Sequence, residues 1–131
     1  MAAGSFGAED GPVPAAVLIV DDNARFRVRA RRLLEASGYT VVAEAPDGAT
    51  ALEAAGRFRP EVVLLDLVLP DMSGLSVAEH LARGPDPPAV VLTSTHDAAD
   101  FGERIGRCGA RGFVPKGELS AEALSGLLAK P

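Results

Sequence analysis

Two short apolar runs that end in acid decide the fold of this chain: AVLIVDD at residues 16–22 and VVLLD at residues 62–66. Such unbroken aliphatic runs are typical of strands that are buried on both faces of a parallel sheet. The carboxyl ends of parallel strands meet at one edge of the sheet, where ligands bind. If these two strands are neighbours, the side chains of Asp21, Asp22 and Asp66 converge on one cleft.

Around these runs, strand-like segments alternate with helical patterns along the chain. Five strands alternating with five helices predict an α/β fold, in which a parallel sheet is covered on both faces. We expect the flavodoxin-like, doubly wound strand order 2-1-3-4-5, which puts strands 1 and 3 side by side. The predicted strands are 16–20, 40–45, 61–67, 89–92 and 111–114, and the predicted helices cover about 23–37, 48–56, 75–83, 98–108 and 120–128.

The composition suits one domain with an aliphatic core, because 47% of the 131 residues are apolar and only 5% are aromatic. Residues 1–14 are rich in Gly, Ala and Pro and lack periodicity, so we predict a disordered tail before a single domain at 15–131. The net charge of −5 argues against indiscriminate binding to nucleic acid. Neither a membrane-spanning run nor a signal peptide is evident, which predicts a cytoplasmic protein.

The acidic cleft has a definite chemistry. Three carboxylates repel one another unless a cation neutralises them, so without a cation the pKa of at least one should be raised. Their oxygens suit a hard cation such as Mg²⁺, and a carboxylate beside a divalent ion can attack a phosphoryl group. Two more polar residues stand at carboxyl ends of strands, because Thr93 ends predicted strand 4 and Lys116 follows strand 5. The cleft should therefore also hold a hydroxyl and a cationic side chain.

Four motifs give the chain a family resemblance: VDDN at 20–23, LLDLVLPDMSG at 64–74, VVLTS at 90–94 and ARGFVPKGELS at 110–120. With these motifs, the segment from Val17 to Leu128 resembles the receiver domain of two-component response regulators. The last motif is most similar to the subgroup whose receivers usually precede a helix-turn-helix DNA-binding domain. The resemblance implies that the domain at 15–131 is a receiver.

The resemblance implies a role for each acid in the cleft. Asp66 would be the phosphoryl acceptor and a ligand of Mg²⁺, and Asp22 would bind the ion directly. Asp21 would support the ion through water. The backbone carbonyl of Val68 would be a further ligand, which constrains the position of that residue but not its side chain.

The resemblance also assigns roles to residues around the acids. Lys116 would pair with the phosphoryl oxygens, and the hydroxyl of Thr93 would bond to the phosphoryl group once it is attached. Phe113 holds the aromatic switch position, and helix 4, strand 5 and helix 5 would form the switching surface. Val68 and Thr95 flank the path of water to the aspartyl phosphate, so they would tune dephosphorylation.

The function implied is that of a signalling module and not of a metabolic enzyme. A sensor histidine kinase or a phosphotransfer protein would supply the phosphoryl group, and Mg²⁺ would be the cofactor. Phosphotransfer and dephosphorylation would be self-catalysed, and phosphorylation could drive homodimer formation. We expect no membrane partner and no direct binding of this chain to nucleic acid, with DNA binding residing in another domain if the chain is part of a longer regulator.

Three alternatives compete with this interpretation. A pseudo-receiver would be an interaction domain switched by another signal, but the complete set of acids, threonine and lysine disfavours it. A flavodoxin would need a hydroxyl-rich phosphate loop after strand 1, and a haloacid-dehalogenase-type phosphatase would need acids at alternate positions there. Predicted helix 1 is also rich in arginine. This indicates a solvated basic face, or a docking surface for an acidic partner or for the four-helix phosphotransfer module of a sensor kinase: Arg25, Arg27, Arg29, Arg31 and Arg32.

Overall fold

A computed structural model describes residues 15–95 and 101–128 of the chain. These residues form a five-stranded sheet with the order β2-β1-β3-β4-β5, and all four strand pairings are parallel. The predicted α/β fold and strand order are therefore confirmed. The strands are β1 Ala16–Val20, β2 Thr40–Ala45, β3 Val62–Asp66, β4 Ala89–Ser94 and β5 Gly112–Pro115, and the helices are α1 Ala24–Ala36, α2 Gly48–Phe58, α3 Gly74–Ala82, α4 Arg104–Arg107 and α5 Ala121–Leu128.

Alternation along the central strands builds two apolar cores, because successive side chains of a strand point to opposite faces. On one face, Leu18 and Leu65 pack with the helices α2 and α3, and Phe101 and Ile105 lie at the margin of this core. On the other face, Ile19 packs with residues of α1 and α5. The central strands β1 and β3 are buried throughout except at Ala16, which explains their unbroken apolar sequences.

Side chains fix where the first three helices begin. The Asn23 side chain accepts hydrogen bonds from the backbone N–H groups of the first turn of α1. Asp47 and Ser73 cap α2 and α3 in the same way. Each cap satisfies N–H groups that have no partner inside the helix. After α1, Gly38 adopts φ +95, a left-handed conformation that glycine accommodates and that ends the helix.

Several predicted boundaries are wrong. Strand β4 continues through Ser94, so Thr93 lies inside the strand and pairs with Asp66 instead of ending it. Helix α2 extends to Phe58, and β3 and α3 are shorter or shifted by one residue. The predicted helix 98–108 is not α-helical at 101–103, because Gly102 turns the chain with φ +61. The start of that prediction, like the predicted tail at 1–14, lies outside the described residues.

Within residues 15–95 and 101–128, no helix combines the length and apolar character that crossing a bilayer requires.

Candidate functional site

The three predicted acids meet at the carboxyl end of the sheet. One oxygen from each of Asp21, Asp22 and Asp66 lies within 4.8 Å of the others. Asp21 and Asp22 follow β1, and Asp66 ends the neighbouring strand β3. The side chains of Asp21 and Asp66 are buried, whereas Asp22 is exposed. The cluster therefore opens to solvent on the side of Asp22.

Lys116 joins two of these acids. It begins a 3₁₀ turn directly after β5, and its Nζ lies 2.6 Å from Asp21 Oδ2 and 3.2 Å from Asp66 Oδ2. The first contact is an ion pair without hydrogen-bond alignment, and the second is a hydrogen bond. The ammonium also stands 4.6 Å from the ring centroid of Phe26. Burial favours the neutral amine, but Asp21 and Asp66 outweigh it, so the pKa of Lys116 is raised.

The surroundings of Asp66 disfavour the charged form of its carboxylate. Its Oδ1 accepts a hydrogen bond from the backbone N–H of Val68 at 3.1 Å. Burial raises the pKa of Asp66, and the negative charge of Asp21 adds to this effect. The Val68 N–H and Lys116 act in the opposite direction without cancelling it. One of the three acids thus has the raised pKa that we expected, but burial is the larger cause and repulsion by Asp21 the smaller one.

Thr93 lies beside Asp66 in the sheet with an unsatisfied hydroxyl. The two residues are register partners on β3 and β4. Thr93 is fully buried, and its Oγ1 has no hydrogen-bond partner among the described residues. Buried polar groups are nearly always paired, so an orphan hydroxyl next to the acid cluster points to a partner that arrives from outside.

The other predicted site residues lie around the acid cluster and differ in their exposure to solvent. Val68 is 48% exposed next to Asp66, and Thr95 is exposed just beyond β4. Phe113 lies opposite Leu92 in the edge strand β5, where it is half-buried against the core beneath α2 and α3. The structure thus brings Val68 and Thr95 to the rim and leaves Phe113 within the sheet.

An arginine–glutamate network that the sequence did not predict supports the acid pair. Arg27 donates from Nη1 to the backbone carbonyl of Asp21 at 2.6 Å and from Nε to Glu44 at 3.0 Å. Arg31 donates to the other oxygen of Glu44 at 2.8 Å. Burial favours protonation of Glu44, but Arg31 and Arg27 outweigh it and lower its pKa. The spacing of these two arginines by one helical turn is the signal that could have identified them.

Asp71, whose role the sequence also did not predict, ties the loop after β3 to α2. The Asp71 carboxylate accepts hydrogen bonds from the backbone N–H groups of Gly48 at 2.8 Å and Ala49 at 2.9 Å. These bonds lower the pKa of Asp71. Gly74 closes the same loop against β3, because a Cβ there would overlap the Asp66 carbonyl and lie 2.8 Å from Leu67 Cα. The loop is thus fixed at both ends around Asp66.

The donor set suits a magnesium ion. The cluster offers three carboxylates, and hard oxygen ligands of this kind are what Mg²⁺ binds in proteins. Asp21 is already engaged, because Oδ1 accepts the Asn23 N–H and Oδ2 faces Lys116. The exposed carboxylate of Asp22 is consequently the best placed of the three to bind an ion from solvent.

Comparisons with known proteins point to one family. The family model described as "Response regulator receiver domain" matches residues 17–127. A putative transcriptional regulator of Pseudomonas aeruginosa is 38% identical over 108 residues, which are 82% of this chain and 52% of that protein. The nitrate/nitrite response regulator protein NarP of Escherichia coli is 38% identical over 104 residues, covering 79% of this chain and 48% of NarP.

A solved structure supports the same relation. The signal receiver domain of the putative response regulator NarL from Mycobacterium tuberculosis superposes with a TM-score of 0.79 at 33% identity, covering 91% of this chain and 100% of that chain. The chain spans about half the length of the curated relatives it matches.

Proposed function

The chain belongs to the family of response regulator receiver domains, and from this we propose that it accepts a phosphoryl group on Asp66 in a Mg²⁺-dependent reaction. The observation that carries the proposal is the arrangement of Asp21, Asp22, Asp66 and Lys116 at one edge of the sheet. Asp66 is the acceptor because it ends the strand β3, next to the orphan hydroxyl of Thr93.

Each side chain has a separate part in the transfer. An Asp66 carboxylate oxygen attacks phosphorus, and the bond from phosphorus to the donor breaks. Lys116 remains protonated, because the neighbouring acids raise its pKa, and stabilises the phosphoryl oxygens. Asp22 and Asp66 would hold Mg²⁺, with the backbone carbonyl of Val68 as a further ligand, and Asp21 would support the ion through water. When bound, this ion neutralises negative charge on the phosphoryl group.

The attached phosphoryl group would act as the switch. It brings additional negative charge and strong acceptor oxygens into the cleft. The Thr93 hydroxyl then gains the partner that it lacks, which draws β4 toward Asp66. Phe113, on the adjacent strand β5, changes its side-chain position with this movement. The surface formed by α4, β5 and α5 transmits the change to a partner or to a second copy of the chain.

The proposal extends to the partners. A sensor histidine kinase or a phosphotransfer protein supplies the phosphoryl group, and the reaction takes place in the cytoplasm. The domain catalyses its own phosphorylation and dephosphorylation but is not an enzyme acting on a separate substrate. Since Val68 exposes an apolar side chain beside Asp66 and Thr95 a small hydroxyl, attacking water is poorly oriented and the phosphorylated state is long-lived.

Phosphorylation by a small donor tests the proposal. The intact mass of the protein is measured after incubation with phosphoramidate and Mg²⁺, with and without EDTA. We expect one added phosphoryl group in wild type, none with EDTA and none in Asp66→Asn. Asp86→Asn is the matched control, because it removes an exposed acid at the opposite end of the sheet and should be labelled as wild type is. Labelling of Asp66→Asn at the wild-type level would refute the assignment.

A further inference from the structure

A cavity of about 300 Å³ opens next to the acid cluster, between the start of α1 and the turn after β5. Its walls include Arg25, Phe26, Arg29, Thr95 and Lys116. The cavity and the acid cluster share Lys116, whose ammonium contacts Asp66. A small molecule in the cavity would therefore lie against Lys116, one contact away from the residue that we propose as the phosphoryl acceptor. A volume of this size is sufficient for a small phosphodonor.

The two arginines at the cavity wall differ in their partners from Arg27 and Arg31, which lie on the same helix. Arg27 and Arg31 are neutralised by Glu44. Arg25, by contrast, forms no ion pair within the described part of the chain, and Arg29 donates only to the backbone carbonyl of Lys116 at 3.3 Å. Two guanidinium groups without a carboxylate partner thus stand at the cavity wall, next to the apolar ring of Phe26. The site suits a ligand with an anionic end and a small apolar part.

We propose that Arg25 and Arg29 are specificity-determining residues that bind the departing carboxylate of an acyl phosphate. This inference rests on the proposed function of Asp66. The bond from Asp66 Oδ to phosphorus forms while the bond from phosphorus to the acyl oxygen breaks, and the electron pair remains on that oxygen as a carboxylate. No proton is required. The guanidinium groups stabilise this developing negative charge.

A donor with a nitrogen leaving group provides the contrast. In phosphoramidate, the bond from phosphorus to nitrogen breaks and the protonated nitrogen leaves as neutral ammonia. The arginines gain nothing in that transition state, because no negative charge develops on the departing atom. Arg25 and Arg29 therefore raise the rate with acetyl phosphate relative to the rate with phosphoramidate.

The ratio of the two rate constants tests the inference. Phosphoryl incorporation is followed by intact mass with acetyl phosphate and with phosphoramidate, in wild type, in the double variant Arg25→Gln/Arg29→Gln and in Arg32→Gln. Arg32 is an exposed arginine of α1 that does not line the cavity, so its variant controls for net charge. We expect the ratio to fall about tenfold in the double variant, since each exposed charge contributes a few-fold, and to stay unchanged in Arg32→Gln.

The outcomes separate the two proposals. Equal loss with both donors, no change with either, or the same fall in Arg32→Gln would overturn the role of the arginines, while labelled wild type would leave Asp66 as the acceptor. Wild type that neither donor labels would overturn the proposed function itself. Sodium acetate provides a readout without phosphorylation: it should shift the Nε–Hε NMR signals of Arg25 and Arg29 more than that of Arg32, and equal shifts at an ionic strength matched with NaCl would count against the inference.

Discussion

Side chains cap the starts of α1, α2 and α3, whereas α4 has no side-chain cap at Glu103, the residue before it. Helix α5 is capped by Ser120, whose hydroxyl accepts the Ala123 N–H. The same contrast appears in burial. Helix α1 has three buried residues and α3 has five, but α4 has none and α5 has only Leu124. We call residues 16–82, from β1 to α3, the acid half, and residues 89–94 and 101–128, from β4 to α5, the lysine half.

Polar contacts are distributed in the same way. In the acid half, Glu44 links two arginines of α1 to β2, and Asp71 ties the loop after β3 to α2. In the lysine half, the Thr93 hydroxyl has no partner among the described residues, and Lys116 makes its ion pairs to acids of the other half. The acids are therefore preorganised, while the residues that would respond to a phosphoryl group belong to the less anchored half.

Among the variants that test this contrast, we expect the largest effect from Gly74→Ala in the acid half. An added Cβ would overlap the Asp66 carbonyl and crowd Leu67 Cα, and backbone cannot move aside as a flexible side chain can. We expect a loss of about 3 kcal/mol in the free energy of unfolding, measured by urea denaturation. Gly56→Ala is the control, because nothing lies within 4 Å of a Cβ there. Equal stability of the two variants would show that the loop behind Asp66 is not rigid.

Asp66→Asn tests whether the negative charge of Asp66 destabilises the acid half. Because the folded-state pKa of Asp66 is raised, the native state binds more protons than the unfolded state, and stability falls as pH rises from 3.8 through the folded pKa. Without metal, Asp66→Asn should therefore stabilise the protein at pH 7, by about 0.5–2 kcal/mol, the usual range for a single stabilising change. The gain should vanish below pH 3.8.

Asp71→Asn is the matched comparison for that experiment, because it lies in the same loop but has a lowered pKa. A lowered folded pKa contributes stability above the ordinary value of 3.8 that is lost as pH falls. The variant should therefore be less stable than wild type at pH 7. If both variants change the free energy of unfolding in the same direction at pH 7, the inference that the Asp66 charge destabilises the fold is wrong.

The sequence predicts the meeting of the acids from local patterns, and it predicts the strand order from the doubly wound topology that alternating strands and helices favour. Apolar runs identify strands, and the acids directly follow them. It does not predict which arginines of α1 are solvated, since the pairing of Arg27 and Arg31 with Glu44 depends on how α1 crosses β2, and this requires the packed fold. The contact of Gly74 with Asp66 is invisible for the same reason. The sequence predicts that Thr93 ends the strand because the apolar run stops at Leu92, whereas pairing with Asp66 extends β4 through Ser94.

Glu44→Gln tests the arginine network, with a smaller expected effect. The variant removes the charge that pairs with two half-buried arginines, so we expect a loss of about 1 kcal/mol at pH 7. The pKa of Glu44 is lowered in the folded state, so this stability is present above its ordinary value of 4.5 and lost as pH falls through the folded pKa. Urea denaturation at pH 7 and pH 3 should show the difference shrinking in acid. Glu53→Gln, an exposed acid of α2, should change little at either pH.

The smallest effect concerns α5, and it compares the two halves directly. Gly126 in α5 and Gly56 in α2 are both exposed helical glycines with nothing within 4 Å of an added Cβ. Alanine should stabilise each helix by up to about 1 kcal/mol. If the lysine half opens independently, Gly126→Ala slows amide hydrogen exchange within α5 and leaves exchange in the acid half unchanged. Gly56→Ala should instead slow exchange only where amides open by global unfolding. If Gly126→Ala slows exchange equally in both halves, the domain opens as one unit and the contrast in anchoring has no consequence for its motion.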